Sequence, residues 1–112
     1  MEIGMITFNE KTEEISSFIY FGKVNEHDLA IDTTTGSIVL LESGLNVIIF
    51  NCAKNDKSFL SSILEAALFL EKRAVEEGLY ENVELNIQMA EEFGDIAGGK
   101  LYYDFYKMML GV

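Results

Sequence analysis

The periodicity of the apolar residues changes once along the chain, at Asn55-Asp56, and this change constrains the fold more than any other feature. Before it, β-branched and aromatic residues form short runs separated by turn residues, a pattern typical of strands. After it, apolar residues recur every three or four positions, as on one side of a helix. A sheet followed by helices indicates an α+β layer fold. We predict an antiparallel β-meander of four or five strands followed by two or three packing helices.

Five segments of the first half are predicted strands: 3–8, 16–22 (SSFIYFG), 27–32 (HDLAID), 37–41 (SIVLL) and 46–51 (NVIIFN). The polar residues 9–14 (NEKTEE) are expected to interrupt the sheet. Residues 33–36 (TTTG) predict a type I turn closed by Gly36 in the left-handed region. We expect the Asp32 side chain to cap this turn and Asp28, on the same strand face, to face water. SIVLL is apolar on both faces, which indicates a central or helix-covered strand.

Three helices are predicted in the second half of the chain. The first begins after an Asn55 or Asp56 cap, ends at Gly78, and has so wide an apolar stripe that we expect other elements to cover more than one of its sides. Its apolar positions are Phe59, Leu60, Ile63, Leu64, Ala67, Leu68, Phe69, Leu70 and Val75. The second helix covers 81–93 with Val83, Ile87 and Ala90 inward, and GDIAGG then breaks the chain. The last segment puts Leu101, Phe105 and Met109 on one line, with Tyr102 and Tyr106 beside it.

The length and composition bound the class of protein. The 112 residues predict a single domain, and the 49% hydrophobic content excludes an intrinsically disordered chain. The single cysteine, Cys52, lies in an apolar run and is expected to be buried. With no secretory signal and no apolar stretch of about 20 residues, we expect a cytoplasmic protein that does not enter membranes.

The charge balance favours one kind of partner. Nineteen acidic residues face eight basic ones, so the formal net charge is -11. The excess is spread along the chain: 8 acids against 3 bases up to Asn55, then 11 against 5. Such a field repels nucleic acids and anionic membranes and favours a basic protein partner.

No residue pattern indicates an enzyme, a cofactor site or a metal site. Metal binding needs several converging ligands, and the chain has one histidine, His27, and one cysteine. The strand period places His27 opposite Asp28 and Asp32, and a satisfied surface histidine is the expected state. The serines lack a nucleophile motif, and GDIAGGK lacks the spacing of a phosphate loop. We therefore expect a binding protein without catalytic residues.

Four segments together resemble the SUKH superfamily: FIYFG, LAIDTTTGSIVLL, NDKSFLSSIL and DFYKMMLG. The first resembles a family strand that ends in Phe-Gly, and the second a hairpin bracketed by an Asp and a Gly. The third resembles the polar entry of the sheet-packing helix, and the fourth the closing helix of one subgroup. The main part of the similarity runs from about residue 18 to residue 72, roughly half the chain, and the fourth segment lies beyond it at residues 104–111. Bacterial members are mostly immunity proteins of polymorphic toxin systems.

The resemblance implies an immunity protein that binds and neutralises a cognate toxin domain, such as a nuclease or deaminase with a basic substrate groove. A strongly acidic surface suits such a partner and would speed association. Candidate contacts are the carboxylates of Glu26, Asp28 and Glu42, with Tyr102 and Tyr106 as aromatic anchors. The alternative is an acidic, dimeric secretion chaperone or adaptor that holds an effector segment. We expect the protein itself to be a monomer or a weak homodimer.

Overall fold

The computed structural model describes residues 2–3, 5–45 and 47–112. The described residues form one antiparallel sheet in which six strands follow one another in sequence order: β1 (Glu2–Ile3), β2 (Ile6–Ile15), β3 (Phe18–Val24), β4 (His27–Asp32), β5 (Ile38–Leu41) and β6 (Ile48–Ala53). Three helices follow: α1 (Asp56–Val75), α2 (Val83–Ala97) and α3 (Tyr103–Leu110), with a 3-10 turn at Lys100–Tyr102 between the last two. The predicted α+β fold is confirmed, with a short sixth strand at its start.

The strands are longer at two places than predicted. Residues 9–14 do not interrupt the sheet, because β2 continues through them to Ile15 with a register irregularity between Phe8 and Glu13. A bulge of this kind lets a polar segment stay in a strand while its side chains face water. β3 continues past Gly22 to Val24, which pairs with His27. Two residues of predicted strands, Gly4 and Asn46, lie outside the described part of the chain.

One face of the sheet packs against the helices. Leu29, Leu40 and Ile6 are each at most 1% exposed and belong to one core with side chains from all three helices. Aromatic rings join sheet and helices in this core: Phe21 of β3 meets Phe59 of α1 edge to face with centroids 6.0 Å apart, and Phe59 meets Phe105 of α3 at 6.4 Å. Each such buried side chain stabilises the fold by about 1.5–3 kcal/mol. The helices are therefore held on the sheet by a continuous apolar layer.

The start of α1 is as predicted, but its covering is not. The Asn55 side chain accepts a hydrogen bond from the Ser58 backbone N–H at 2.8 Å. The prediction that elements cover α1 on more than one side is wrong. Phe59 and Ile63 face the core, whereas Leu64 is 49% exposed on a second stripe. The apolar residues of α1 form two stripes. Only one of these stripes packs against the rest of the described fold.

The second helix runs through a glycine that was predicted to break it. Gly94 lies inside α2, and the break falls at Gly98. A Cβ on Gly94 would overlap the ring of Tyr103, so glycine is needed for the close approach of α3. Val83, predicted to face inward, is 58% exposed because it is the first residue of the helix and extends beyond the core.

The last segment was predicted to place Leu101, Phe105 and Met109 on one side of a helix, and Leu101 does not lie with the other two. Leu101 is 65% exposed, whereas Phe105 and Met109 are buried. The reason is that Leu101 lies in the 3-10 turn, whose three-residue period does not continue that of α3.

Two polar groups tie the helices to the rest of the fold. The Tyr106 hydroxyl donates to the Cys52 carbonyl oxygen of β6 at 2.9 Å and also contacts the Ser62 hydroxyl of α1. The Arg73 guanidinium donates to Asn86 Oδ1 of α2 at 2.9 Å and to the carbonyl oxygen at the end of α3 at 2.8 Å. Because buried polar groups are costly without partners, these bonds fix how the helices sit on the sheet.

Candidate functional site

The candidate site is the sheet face opposite the helices. Strand alternation and the pairing register place there a set of side chains that we call the open face, which includes Thr7, Glu13, Ile15, Phe18, Tyr20, Lys23, Asp28, Ala30, Asp32, Val39 and Leu41. Its buried members form a small apolar cluster of their own, separate from the core under the helices. The sheet therefore has two apolar faces, and the helices cover one of them.

The floor of the open face is buried by its own neighbours. Ala30, Val39 and Leu41 are at most 1% exposed, and Phe18 and Tyr20 pack against them while staying half-buried. Tyr20 lies directly across from Ala30, and Ala30 directly across from Val39, in neighbouring strands. Cross-strand aromatic and β-branched neighbours stabilise a sheet face in this way. The aromatic rings thus keep part of their surface exposed.

A groove of about 470 Å³ lies on the open face, within the size range of ligand-binding clefts. It is lined by Asn9, Glu13, Ile15, Tyr20, Lys23, Asp28, Gly44 and Leu45. One wall is β2 and the other is the turn between β5 and β6, where Leu45 is 54% exposed. The groove therefore has apolar surfaces and carboxylates side by side.

Irregular strand pairing gives this face its concave shape. The register shifts in β2 between Phe8 and Glu13, and in β3 between Tyr20 and Gly22. Such irregularities bend a strand and increase its twist, which curls the sheet edge toward one face. β2 thereby becomes a wall of the groove in addition to being part of its floor.

The charged groups of the groove are two carboxylates and one ammonium. Glu13 and Asp28 line it together with Lys23, and Lys23 is the direct cross-strand neighbour of Asp28. The Lys23 ammonium offsets part of the negative potential, so the three charged side chains of the groove together carry one net negative charge. A second positive group entering the groove would meet both carboxylates.

Asp32 lies at the end of β4 and has the structural role predicted for it. Its carboxylate accepts from the Thr34 backbone N–H at 2.9 Å and from the Thr34 hydroxyl at 2.6 Å. These two bonds lower the pKa of Asp32 below its usual value. Gly36 closes the turn with φ of 78° and donates to the Asp32 carbonyl oxygen, also as predicted.

The three predicted carboxylates lie at one end of the sheet. Asp28 lines the groove and is half-buried. Glu26 is exposed in the turn that precedes β4, and Glu42 is exposed directly after β5. Because Asp28 pairs with Leu41, all three residues are near the same end of neighbouring strands. Their role in binding a partner stays a prediction.

The two predicted tyrosine anchors lie on the helix side of the sheet. The prediction for Tyr106 is wrong: its side chain is 0% exposed and its hydroxyl bonds to Cys52 and Ser62. Burial raises the pKa of this phenol strongly. Tyr102 is half-buried against the core, where its ring lies next to Gly98. Neither ring reaches the open face, because α3 packs on the opposite side of the sheet.

Sequence reasoning missed several residues of the groove. Asn9 and Glu13 belong to the segment expected to interrupt the sheet, and Tyr20 was noted only as part of an apolar strand. One signal was present in the sequence: Phe18 and Tyr20 alternate with Ile19 and Phe21, so β3 is apolar on both faces. An antiparallel strand with two apolar faces needs a second cover, and here one face has only its own neighbours.

The only histidine and cysteine of the chain are apart from the groove lining. Cys52 is fully buried, as predicted, and burial raises the pKa of its thiol. His27 is half-buried, and its Nδ1 has no hydrogen-bond partner among the described residues, which differs from the satisfied surface histidine that was expected. In the same described part of the chain, no three His, Cys, Asp or Glu side chains converge closely enough to hold a metal ion.

Two further findings concern membrane-spanning helices and similarity to known proteins. Of the helices formed by residues 47–112, none combines the length and the apolar character needed to cross a bilayer. Comparison with protein-family models, with curated proteins and with solved structures found no match. The resemblance to the SUKH superfamily therefore stays a prediction that is based on the four segments quoted above.

Proposed function

We propose that this protein is a cytoplasmic immunity protein, which binds a basic toxin domain through the open face of its sheet and neutralises it. The observation that carries the proposal is the groove on that face. It combines the apolar side chains of Ile15, Tyr20 and Leu45 with the carboxylates of Glu13 and Asp28 and the Lys23 ammonium, on a chain of net charge -11. Shape and charge at this face would act in place of catalytic chemistry.

The groove suits a lysine or arginine side chain of a partner. The aliphatic stem of such a residue would pack along Ile15, Tyr20 and Leu45, while its charged head would reach Glu13 or Asp28. Arginine and tyrosine are the residue types that most often dominate binding energy at protein interfaces. Charge-assisted hydrogen bonds from a guanidinium to a carboxylate are stronger than neutral ones.

The charge around the groove supports fast and selective association. Glu26 and Glu42 are exposed at the same end of the sheet as Asp28 and extend the acidic surface beyond the groove. Long-range attraction between this surface and a basic active-site cleft would raise the association rate and disfavour acidic partners. A domain that normally binds nucleic acid has such a cleft, which is why a nuclease or deaminase toxin is the proposed target.

The test uses the protein encoded by the gene next to this one, which the proposal predicts to end in a toxin-like domain. Co-expression of this protein should restore the growth of cells that produce the domain, and the purified pair should form a complex. Affinity should fall between about 50 mM and about 500 mM salt, since exposed charges are screened. Cells that still die, together with purified proteins that do not bind, would refute the proposal.

A matched pair of variants tests whether the open face is the binding surface. Glu13→Lys/Asp28→Lys should weaken the complex by roughly tenfold to a hundredfold, because both substitutions put repulsive charge in the groove. Glu77→Lys/Glu92→Lys changes the net charge equally at exposed positions on the helix side and serves as the control. Equal losses in the two variants would mean that only total charge matters and that the groove is not the site.

The alternative function, an acidic dimeric chaperone for a secreted effector, is supported by a different observation: the second, exposed apolar stripe of α1. The two functions differ in the state of the ligand. An immunity protein binds a folded toxin domain, whereas a chaperone binds an extended segment. A complex formed by the folded domain but not by its isolated peptides would decide for immunity.

A further inference from the structure

The exposed side of α1 carries a line of leucines. Leu60, Leu64 and Leu68 are 54%, 49% and 63% exposed, and each lies one helical turn after the previous one. Positions four apart lie on the same side of a helix, so the three side chains form a continuous ridge. Single exposed leucines are ordinary on protein surfaces, but a contiguous apolar patch indicates an interaction site.

Charged residues lie in line with this ridge at both of its ends. Lys57 comes three positions before Leu60, and Glu71 comes three positions after Leu68; both are exposed. We call the set Lys57, Leu60, Leu64, Leu68 and Glu71 the α1 ridge. It is basic at one end, apolar in the middle and acidic at the other end.

The α1 ridge is complementary to a second copy of itself in the antiparallel direction. When two such helices cross at Leu64, positions equally far before and after Leu64 meet. Leu60 and Leu68 are each four positions from Leu64, so Leu60 of one copy meets Leu68 of the other. Lys57 and Glu71 are each seven positions away, so each end of the ridge pairs a cation with a carboxylate. A parallel arrangement would place like charges together at both ends.

We propose that a second copy of this chain docks on the α1 ridge, forming a twofold-symmetric dimer through antiparallel α1 helices. A contact of this kind uses the same surface on both subunits, which is the commonest form of homodimer. The leucines make the apolar centre, and the two Lys57–Glu71 pairs set the direction.

The dimer leaves the open face free. The core side of α1, including Phe59 and Ile63, packs in the layer between sheet and helices. The ridge therefore lies beyond that layer, on the side of the molecule away from the groove. Each dimer would carry two partner sites. The inference does not rest on the proposed immunity function, since it concerns another surface and needs no toxin to test it; the same stripe is the one cited for the chaperone alternative.

The first test measures the mass of the intact protein in solution. Light scattering or sedimentation from about 1 µM to about 1 mM should show a concentration-dependent change from monomer to dimer. Leu64→Glu should weaken the dimer by more than roughly a hundredfold, because the two new carboxylates meet at the twofold axis. Leu101→Glu is the matched control: Leu101 is 65% exposed outside α1, and the variant should dimerise like the wild type. Circular dichroism checks that both variants are folded.

The second test is a charge exchange. Within one chain Lys57 and Glu71 are 14 positions apart, about 21 Å along the helix, too far for a direct pair. Lys57→Glu and Glu71→Lys alone should each weaken the dimer by roughly threefold to thirtyfold. The double variant should recover the wild-type constant, since each end again has opposite charges.

The two tests can overturn the proposal in three ways. A wild-type protein that is monomeric over the whole concentration range would remove it. A dimer that survives Leu64→Glu would place the contact elsewhere. A double charge variant as weak as the single ones would contradict the antiparallel direction. None of these results depends on binding at the groove, so each leaves the proposed function to its own test.

Discussion

The two faces of the sheet are made from the same strands but have different covers. On the helix face, Leu29 and Leu40 are cross-strand neighbours under aromatic rings from α1 and α3. On the open face, Ala30 and Val39 are cross-strand neighbours whose cover comes from the sheet itself. Both pairs are buried, yet one lies in a layered core and the other under a groove. Burial alone therefore does not distinguish a layered core from the floor of a groove.

The two faces should therefore differ in how well they tolerate substitutions. A core closed by helices has little freedom to adjust, so its stability depends on close packing. The open face has space beside its floor, and apolar and charged side chains line that space. Stability should therefore depend on the first face, and partner affinity on the second.

The sharpest test of this comparison is a pair of adjacent leucines. Leu40 faces the helices, Leu41 faces the groove side, and both are at most 1% exposed. Leu40→Ala should lower the free energy of unfolding by about 3–5 kcal/mol, because the cavity is enclosed. Leu41→Ala should cost about 2 kcal/mol, because the open side can relax or admit water. Urea unfolding of the two variants measures both values.

Equal costs at the two positions would break the comparison. They would mean that the floor of the open face is packed as tightly as the core. The space left by the smaller side chain would then neither shrink by relaxation nor fill with water from the groove. A control for surface effects is Leu45→Ala on the groove wall, where the side chain is 54% exposed. It should change stability by less than about 0.5 kcal/mol.

A second prediction compares two tyrosines of α3. Tyr106 is buried and bonds to the Cys52 carbonyl of β6, whereas the half-buried Tyr103 bonds to Asp95 in α2 at the surface. Tyr106→Phe should cost about 1–3 kcal/mol of stability, since it leaves a buried carbonyl without its donor. Tyr103→Phe removes the same atom and should cost less than about 0.5 kcal/mol. Thermal or urea unfolding measures the difference.

The result for Tyr106 also bears on its predicted role as a surface anchor. An unchanged stability in Tyr106→Phe, at the level of Tyr103→Phe, would show that the hydroxyl does not hold α3 on the sheet. A large loss supports the structural role and leaves the partner contacts to the open face.

The sequence was sufficient for the features that depend on neighbouring residues. The strand alternation around Ala30, the cap at Asn55 and the Asp32–Gly36 turn were predicted and are confirmed. Each of these follows from backbone geometry over a few positions, which a local pattern encodes directly. The same holds for the order of sheet and helices, because the apolar period changes only once.

The sequence was not sufficient where an element has two apolar faces and only one of them packs against another element. α1 has two apolar stripes, and the residue types on them are alike, so their pattern does not tell which one meets the sheet. β3 likewise has aromatic residues on both faces. Tyr102 and Tyr106 were placed together by helical spacing, but the 3-10 turn ends at Tyr102 and α3 begins after it. Such choices are made by long-range packing, which a local period does not contain.

The last and smallest prediction concerns the turn at the edge of the open face. The bonds from Thr34 lower the pKa of Asp32 in the folded protein. A lowered pKa means that the ionised carboxylate stabilises the fold above its unfolded pKa and that this stabilisation is lost as the pH falls through the folded value. Asp32→Asn keeps an oxygen that accepts from the Thr34 N–H, whereas Asp32→Ala removes both bonds.

The two variants separate charge from turn geometry. At about pH 7, Asp32→Ala should be less stable than Asp32→Asn, since only the asparagine retains a turn-forming acceptor. Between about pH 5 and pH 2, the wild type should lose stability relative to Asp32→Asn, because only the wild type takes up a proton at this site. Urea midpoints measured across that range test both statements. A wild type and Asp32→Asn that fall in parallel would show that the Thr34 bonds do not depend on the charge. The turn would then hold the edge of the open face by geometry alone.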